Sequence, residues 1–210
     1  LGGRGSQFGR GGNSSGGNIN VTSTTSLISQ REGQRDEVDE VLTVLRELNE
    51  QYGAELNDVQ IVTIRGSGSN AIAYYDSEGN LAFNKKYFDN SSIEAAYKRC
   101  VDSKFHPSQG NKTAVEAVAA HEMGHKLTDM AAFRAGYGTW ALDRVANDIV
   151  RDAARGLNMR ESAVVGVVSG YAKHNHAEAV AEAFADVYCN GSNAARESRA
   201  IVSELERRLR

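Results

Sequence analysis

A chain of 210 residues suits one domain with a tail, and it can bury a core without staples. A net charge of −3 leaves no electrostatic footprint for nucleic acid or an anionic membrane, so neither is expected as a partner. Two cysteines, Cys100 and Cys189, cannot make a disulfide scaffold, and no apolar run approaches the roughly 18 residues that span a bilayer.

Residues 1–33 are dominated by Gly, Ser, Asn and Thr and read as a flexible linker ahead of a domain at 34–210. The chain starts at Leu1 rather than Met and shows no apolar leader. It is therefore expected to be a cleaved product or part of something longer, with a domain upstream. A soluble chain is expected, with no compartment specified.

Val38, Val41, Leu42, Leu45 and Leu48 recur at helical spacing, which predicts an amphipathic helix over 35–52 that Gly53 ends. Val59 to Ile64 and Ala71 to Tyr75 are β-rich, and Glu78-Gly79-Asn80 reads as a hairpin turn before a strand at Leu81 to Phe83. These segments predict a small antiparallel sheet. Helices are predicted over 92–105, 112–130, 140–156, 160–168, 175–189 and 194–209. Strands followed by helices give an α+β domain.

His121-Glu122-Met123-Gly124-His125 is an H-E-x-x-H motif. Residues four apart share a helix face, so both imidazoles can reach one ion, and Glu122 can address water beside it. Zinc suits imidazole nitrogen and tolerates an open position. Thr113-x-x-Glu116 reads as a capping box that starts this helix. Val115, Ala119, Met123 and Leu127 form its core stripe, while Ala114, Ala117 and Val118 make the histidine side apolar too. Two buried histidines and a glutamate need partners, because an unpaired buried polar group costs about 1–3 kcal/mol. Gly124 costs a helix about 1 kcal/mol relative to Ala, which suggests close packing of another segment there. Asp129, one turn on, is a candidate hydrogen-bond partner for a ligand histidine.

A third ligand should come from another element. In 175–189, Val180, Phe184, Val187 and Tyr188 make the core face, and Glu178, Glu182 and Asp186 form an acidic row at four-residue steps. Like charges at that spacing repel, so something positive should compensate. Asn175-x-x-Glu178 is itself close to a capping box, and residue chemistry alone leaves Glu178 and Glu182 both open as the ligand. His174 and His176 are nearby candidates that read more simply as exposed histidines, and His106 reads as a loop residue.

The run from Tyr171 through Glu178, Glu182 and Phe184 to Asp186 resembles the second motif of the anthrax lethal-factor-type zinc peptidases. It is also similar to peptidase domains of phage minor head proteins and bacterial polymorphic toxins. In that family a Tyr stands seven positions before the ligand Glu, which opens an E-x-x-x-E-A-F run. The resemblance implies a zincin-like fold with His121, His125 and Glu178 as zinc ligands and Glu122 as general base. It makes Tyr171 the oxyanion-stabilising phenol and Glu182 a supporting carboxylate behind the ligands, and it puts Asp129 where the family tends to carry Asp. Ala179 and Val180 stand where the family often has an aromatic pair, and the match covers only about 112–190.

The expected activity is zinc-dependent hydrolysis of a protein or peptide, whose backbone would pair with a sheet edge within 71–75 or 81–83. The resemblance also allows a virion component, with other virion proteins as partners, that keeps a peptidase fold for assembly. It equally allows a toxin effector domain delivered by its linker. A non-hydrolytic zinc-binding module is the remaining alternative.

Overall fold

The computed structural model describes residues 20–26, 36–66, 69–76, 78–88, 90–137 and 141–210. The remainder of the segment read as linker lies outside the described residues. Among the described residues the chain is α+β: a four-stranded mixed sheet packs against a set of helices.

Strands β1 (Asn20–Ser26), β2 (Asp58–Arg65), β3 (Ala73–Tyr75) and β4 (Asn80–Asn84) lie in the order β1-β2-β4-β3. Three features differ from the sequence expectation. Residues 20–26, read as linker, form β1, which pairs antiparallel with β2. The Val-Thr-Ser-Thr-Thr run of that segment is β-branched and can join a sheet, although it is too polar to signal burial. The sheet is not purely antiparallel, because β4 runs parallel to β2, Asp58 pairing with Asn80 and Val62 with Asn84. The hairpin puts β3 outside and β4 inside, so residues 81–83 belong to an interior strand and offer no edge.

Alternation explains why β4 can sit in the middle. Leu81 and Phe83 enter the main core with Val59, Ile61 and Ala73. Ala82 joins Val62, Ile64, Ala71 and Tyr74 on the opposite face. Asp76 shapes the turn: its Oδ1 accepts from the backbone N–H groups of Glu78 and Asn80, both at 2.9 Å. Gly79 sits there at φ 86°, a conformation that glycine adopts without steric cost.

The helices are α1 (Asp36–Tyr52), α2 (Asn90–Asp102), α3 (Ala114–Arg134), α4 (Leu142–Gly156), α5 (Glu161–Val168), α6 (His176–Asn190) and α7 (Arg196–Arg208). Each lies within a few residues of its predicted span. Helix α3 is the centre of the fold and packs against α1, α2, α4, α6, α7 and β3. Its apolar residues surround it, which is the pattern of a helix with no solvent face over most of its length. The capping box is present: Thr113 Oγ1 accepts from Glu116 N–H at 3.2 Å, and Glu116 Oε2 accepts from Thr113 N–H at 2.8 Å.

Helix α4 has the opposite character. Val145, Ala146, Ile149, Val150 and Ala153 face inward, while Arg144, Asp148, Arg151 and Arg155 line its outer side. No helix among the described residues is long and apolar enough to cross a membrane.

Candidate metal centre

The site is made where α3 crosses α6. Gly124 marks the crossing: a Cβ there would lie 2.8 Å from Ala181 Cα and 3.2 Å from Phe184 Cβ. Close approach of another segment is what an unfavourable glycine in mid-helix suggested, and α6 supplies it. Ala177, Ala181 and Ala185 keep α6 thin enough for the approach. The geometry then sets one turn of α3, carrying His121 and His125, against the first turn of α6, carrying Glu178.

His121 Nε2 and His125 Nε2 each lie 3.3 Å from the same oxygen, Glu178 Oε2. That distance is at the long edge of hydrogen bonding, and Glu178 Oε2 is buried without a hydrogen bond of ordinary geometry. All three side chains are buried, with residue exposures of 1%, 2% and 6%. The Glu178 side chain does not cap its own helix; Asn175 does so, accepting from Glu178 N–H at 2.8 Å. The carboxylate is thereby left to the histidines. His121, Glu122 and His125 also present donor atoms within 4.8 Å of one another, a buried group that could hold a metal ion. Glu178 completes the convergence better than Glu122, because it alone is in contact with both Nε2 atoms.

The electrostatics of the cluster follow from burial and pairing. Burial alone would raise the Glu178 carboxyl, but His125 and His121 outweigh it and hold the group far below the usual carboxylate range. Burial opposes charge on His121 as well, yet contacts with Glu178 and Glu182 push it up to about 10. Glu122 has weaker compensation. Burial pushes it up to about 7, a rise tempered by His121, His125 and the backbone of Tyr75.

Glu182 stands one turn behind Glu178. Its Oε1 lies 2.8 Å from His121 Nδ1 and 2.9 Å from His106 Nδ1. His106, read from sequence as a plain loop residue, is buried in the site. The third member of the acidic row, Asp186, does structural work: it accepts from Ala195 N–H at 3.0 Å and from Asn190 Nδ2 at 2.9 Å. The compensation that the row required is thus supplied by three histidines and by the α6–α7 connection.

Tyr171 lies in a short 3-10 turn, Tyr171–Lys173, directly before α6. Its ring packs 6.0 Å from His121 and 5.4 Å from His106. Burial, with Glu178, Glu122 and Glu182 nearby, raises its phenol well above 10. Glu122 itself is 1% exposed, beside the edge strand β3 through Tyr75.

Three sequence candidates fall elsewhere. Asp129 does not support a ligand histidine: His125 Nδ1 makes no hydrogen bond. Asp129 is half-buried and lines a surface pocket with Tyr75, Lys126, Met130 and Phe133. His176 bonds Asn147 Oδ1 at 2.8 Å through Nδ1, and His174 is exposed with its ring against Tyr171, so neither belongs to the donor set.

Comparison with family models, with curated proteins and with solved structures yields no match.

Proposed function

We propose that this chain is a zinc-dependent peptide hydrolase of zincin type, with His121, His125 and Glu178 as the metal ligands. The observation that carries the reading is the convergence of both Nε2 atoms on one Glu178 oxygen at 3.3 Å. Donors about 2.0 Å from a common tetrahedral centre are about 3.3 Å apart, so the spacing fits zinc with nitrogen and oxygen ligands. Two imidazoles and one carboxylate are also the donor types of a hydrolytic zinc site with a position left for water.

The remaining residues then have defined tasks. Zinc held there would polarise a water and a carbonyl and lower the water's pKa toward neutrality. Glu122, adjacent to His121 on the same helix turn, takes the proton of the attacking water and delivers it to the leaving amine. A base with a pKa near neutrality is well matched to both transfers. Tyr171 keeps its proton because burial raises its pKa, so it can donate a hydrogen bond to the developing oxyanion. Glu182 holds His121 by its far nitrogen. The substrate backbone would pair beside β3, the outer strand next to Glu122.

The test combines metal content with one substitution. Purified protein should carry near-stoichiometric zinc and cleave an unstructured protein such as casein. Glu122→Gln should keep the zinc and lose at least about 100-fold in turnover. Protein that takes up no zinc, or a Glu122→Gln variant as active as the parent, would end the reading.

A further inference from the structure

We infer that His106 is a positioning residue for the metal site: by donating to Glu182 it fixes the carboxylate that sets the tautomer and aim of His121. The inference rests on the metal reading of His121, His125 and Glu178.

The chemistry starts from a single atom. Glu182 Oε1 lies 2.9 Å from His106 Nδ1 and 2.8 Å from His121 Nδ1. A carboxylate oxygen this close to a bare ring-nitrogen lone pair would be repelled, so both Nδ1 atoms carry the proton, although only the His106 contact has hydrogen-bond geometry. A neutral imidazole has one proton, and with it on Nδ1 the Nε2 lone pair of His121 is left for a cation. Glu182 Oε2 has no hydrogen-bond partner. The carboxylate's hydrogen bond is therefore the one from His106, and His121 adds a close ion-pair contact to the same oxygen. Without His106, only the ring it is meant to orient would hold it.

His106 is itself fixed from every side. Its ring stacks on Tyr97 at 5.6 Å with 9° between planes, and Phe105 and Tyr171 meet it edge-on or tilted at 5.0 and 5.4 Å. Pro107 follows and restricts His106 to an extended backbone. Tyr97 hydroxyl donates to Pro107 carbonyl at 3.1 Å. The loop is clamped to the turn that carries Tyr171: Gly170 N–H donates to Lys104 carbonyl and Tyr171 N–H to Phe105 carbonyl, each at 2.9 Å. A Cβ on Gly170 would come within 3.1 Å of the Lys104 carbonyl oxygen, closer than most Cβ contacts, so a side chain there would press on the clamp. One loop thus sets the place of both His106 and Tyr171.

Two substitutions separate positioning from packing. His106→Phe keeps a ring on Tyr97 and removes the donor. His106→Asn places an amide nitrogen near the position of Nδ1. Zinc affinity is measured by competition with a chromophoric chelator, and the His121 ring nitrogens are followed by NMR in the zinc-loaded full chain. His106→Phe should weaken zinc binding about 10–100-fold, and His106→Asn should recover most of that loss. The His121 Nδ1–H signal should be sharp in the parent and in the Asn variant and broadened or shifted in the Phe variant. Parent-like zinc affinity and unchanged His121 shifts in His106→Phe would overturn the inference, as would an Asn variant no better than Phe. If His106→Phe does not fold, the parent's spectrum decides: a His106 ring protonated on Nε2 instead of Nδ1 overturns it. A parent chain that binds no zinc fails at the earlier step, the metal reading.

Discussion

Glu122 is the buried carboxylate of the cluster that ionises against its surroundings. Its pKa rises from 4.5 to about 7 on folding because burial disfavours the charge. The folded chain therefore binds that proton more tightly than the unfolded chain, and stability falls as pH rises through this window. Above about pH 7 the full penalty is present, up to roughly 3 kcal/mol for a shift of this size. In the metal-free protein, Glu122→Gln should therefore be more stable than the parent at pH 8. The gap should close below about pH 4.5, and denaturant titrations in EDTA at the two pH values measure it. A gap that widens toward acid would contradict the burial of this group. The two other carboxylates are separable by metal affinity. Glu178→Ala, which removes the shared oxygen, should cost more than about 100-fold in zinc binding. Glu182→Ala, which removes a partner of His121, should cost about 10–100-fold. Isothermal titration with zinc would rank them, and the reverse order would exchange their roles.

The crossing of α3 and α6 is the element on which the site depends. Gly124 sacrifices helix propensity, about 1 kcal/mol, for contact with Ala181. Gly124→Ala returns that propensity but sets a methyl 2.8 Å from the Ala181 backbone, so the helices must move apart. Overpacking of this kind costs about 1–3 kcal/mol. The variant should lose both melting temperature and zinc affinity, because separation draws Glu178 away from the two histidines. A Gly124→Ala protein with parent-like zinc binding would show that the crossing can relax without disturbing the donors. The short connection into α6 contributes as well. Asn175 caps α6 with its side chain, while the Glu178 carboxylate meets the histidines instead of completing the box.

At the scale of the molecule, the donors lie deep. His121, Glu122 and His125 are 1–2% exposed, and the β3 residues Ala73 and Tyr75 are 0% and 3% exposed. Hydrolysis of a polypeptide at such a site requires that covering chain move aside, as lids do in many enzymes. Zinc removal needs the same kind of opening. Transfer of zinc to an excess of chelator should thus be slow and independent of chelator concentration, with a rate that low denaturant increases. A rate proportional to chelator concentration would mean an open site. The sheet contributes to the enclosure with two apolar faces, one on the helices and one formed by Val62, Ile64, Ala71, Tyr74 and Ala82.

Much of this was legible in the residues. The seven helices follow from local periodicity and capping, which act over three or four positions. The spacing of His121, Glu122 and His125 puts them on one turn whatever surrounds them. The Gly124 contact was visible as a local rule broken inside a helix. Sheet order was not legible, since alternation gives each strand its faces but says nothing of its neighbours. Asp129 was open for a similar reason: spacing gave its distance along α3, while packing set it half-buried in a surface pocket. The tertiary structure set Glu178 Oε2 against both Nε2 atoms and Glu182 behind His121, and it drew His106 into the site. His106 and Glu182 are 76 positions apart and meet only after α2, α3 and α6 have packed. The sequence by itself determined which side chains could bind a cation, because donor type and helix pitch are local. Only the folded chain decided which of them lie together, because that depends on two helices approaching closely enough for three buried donors to meet.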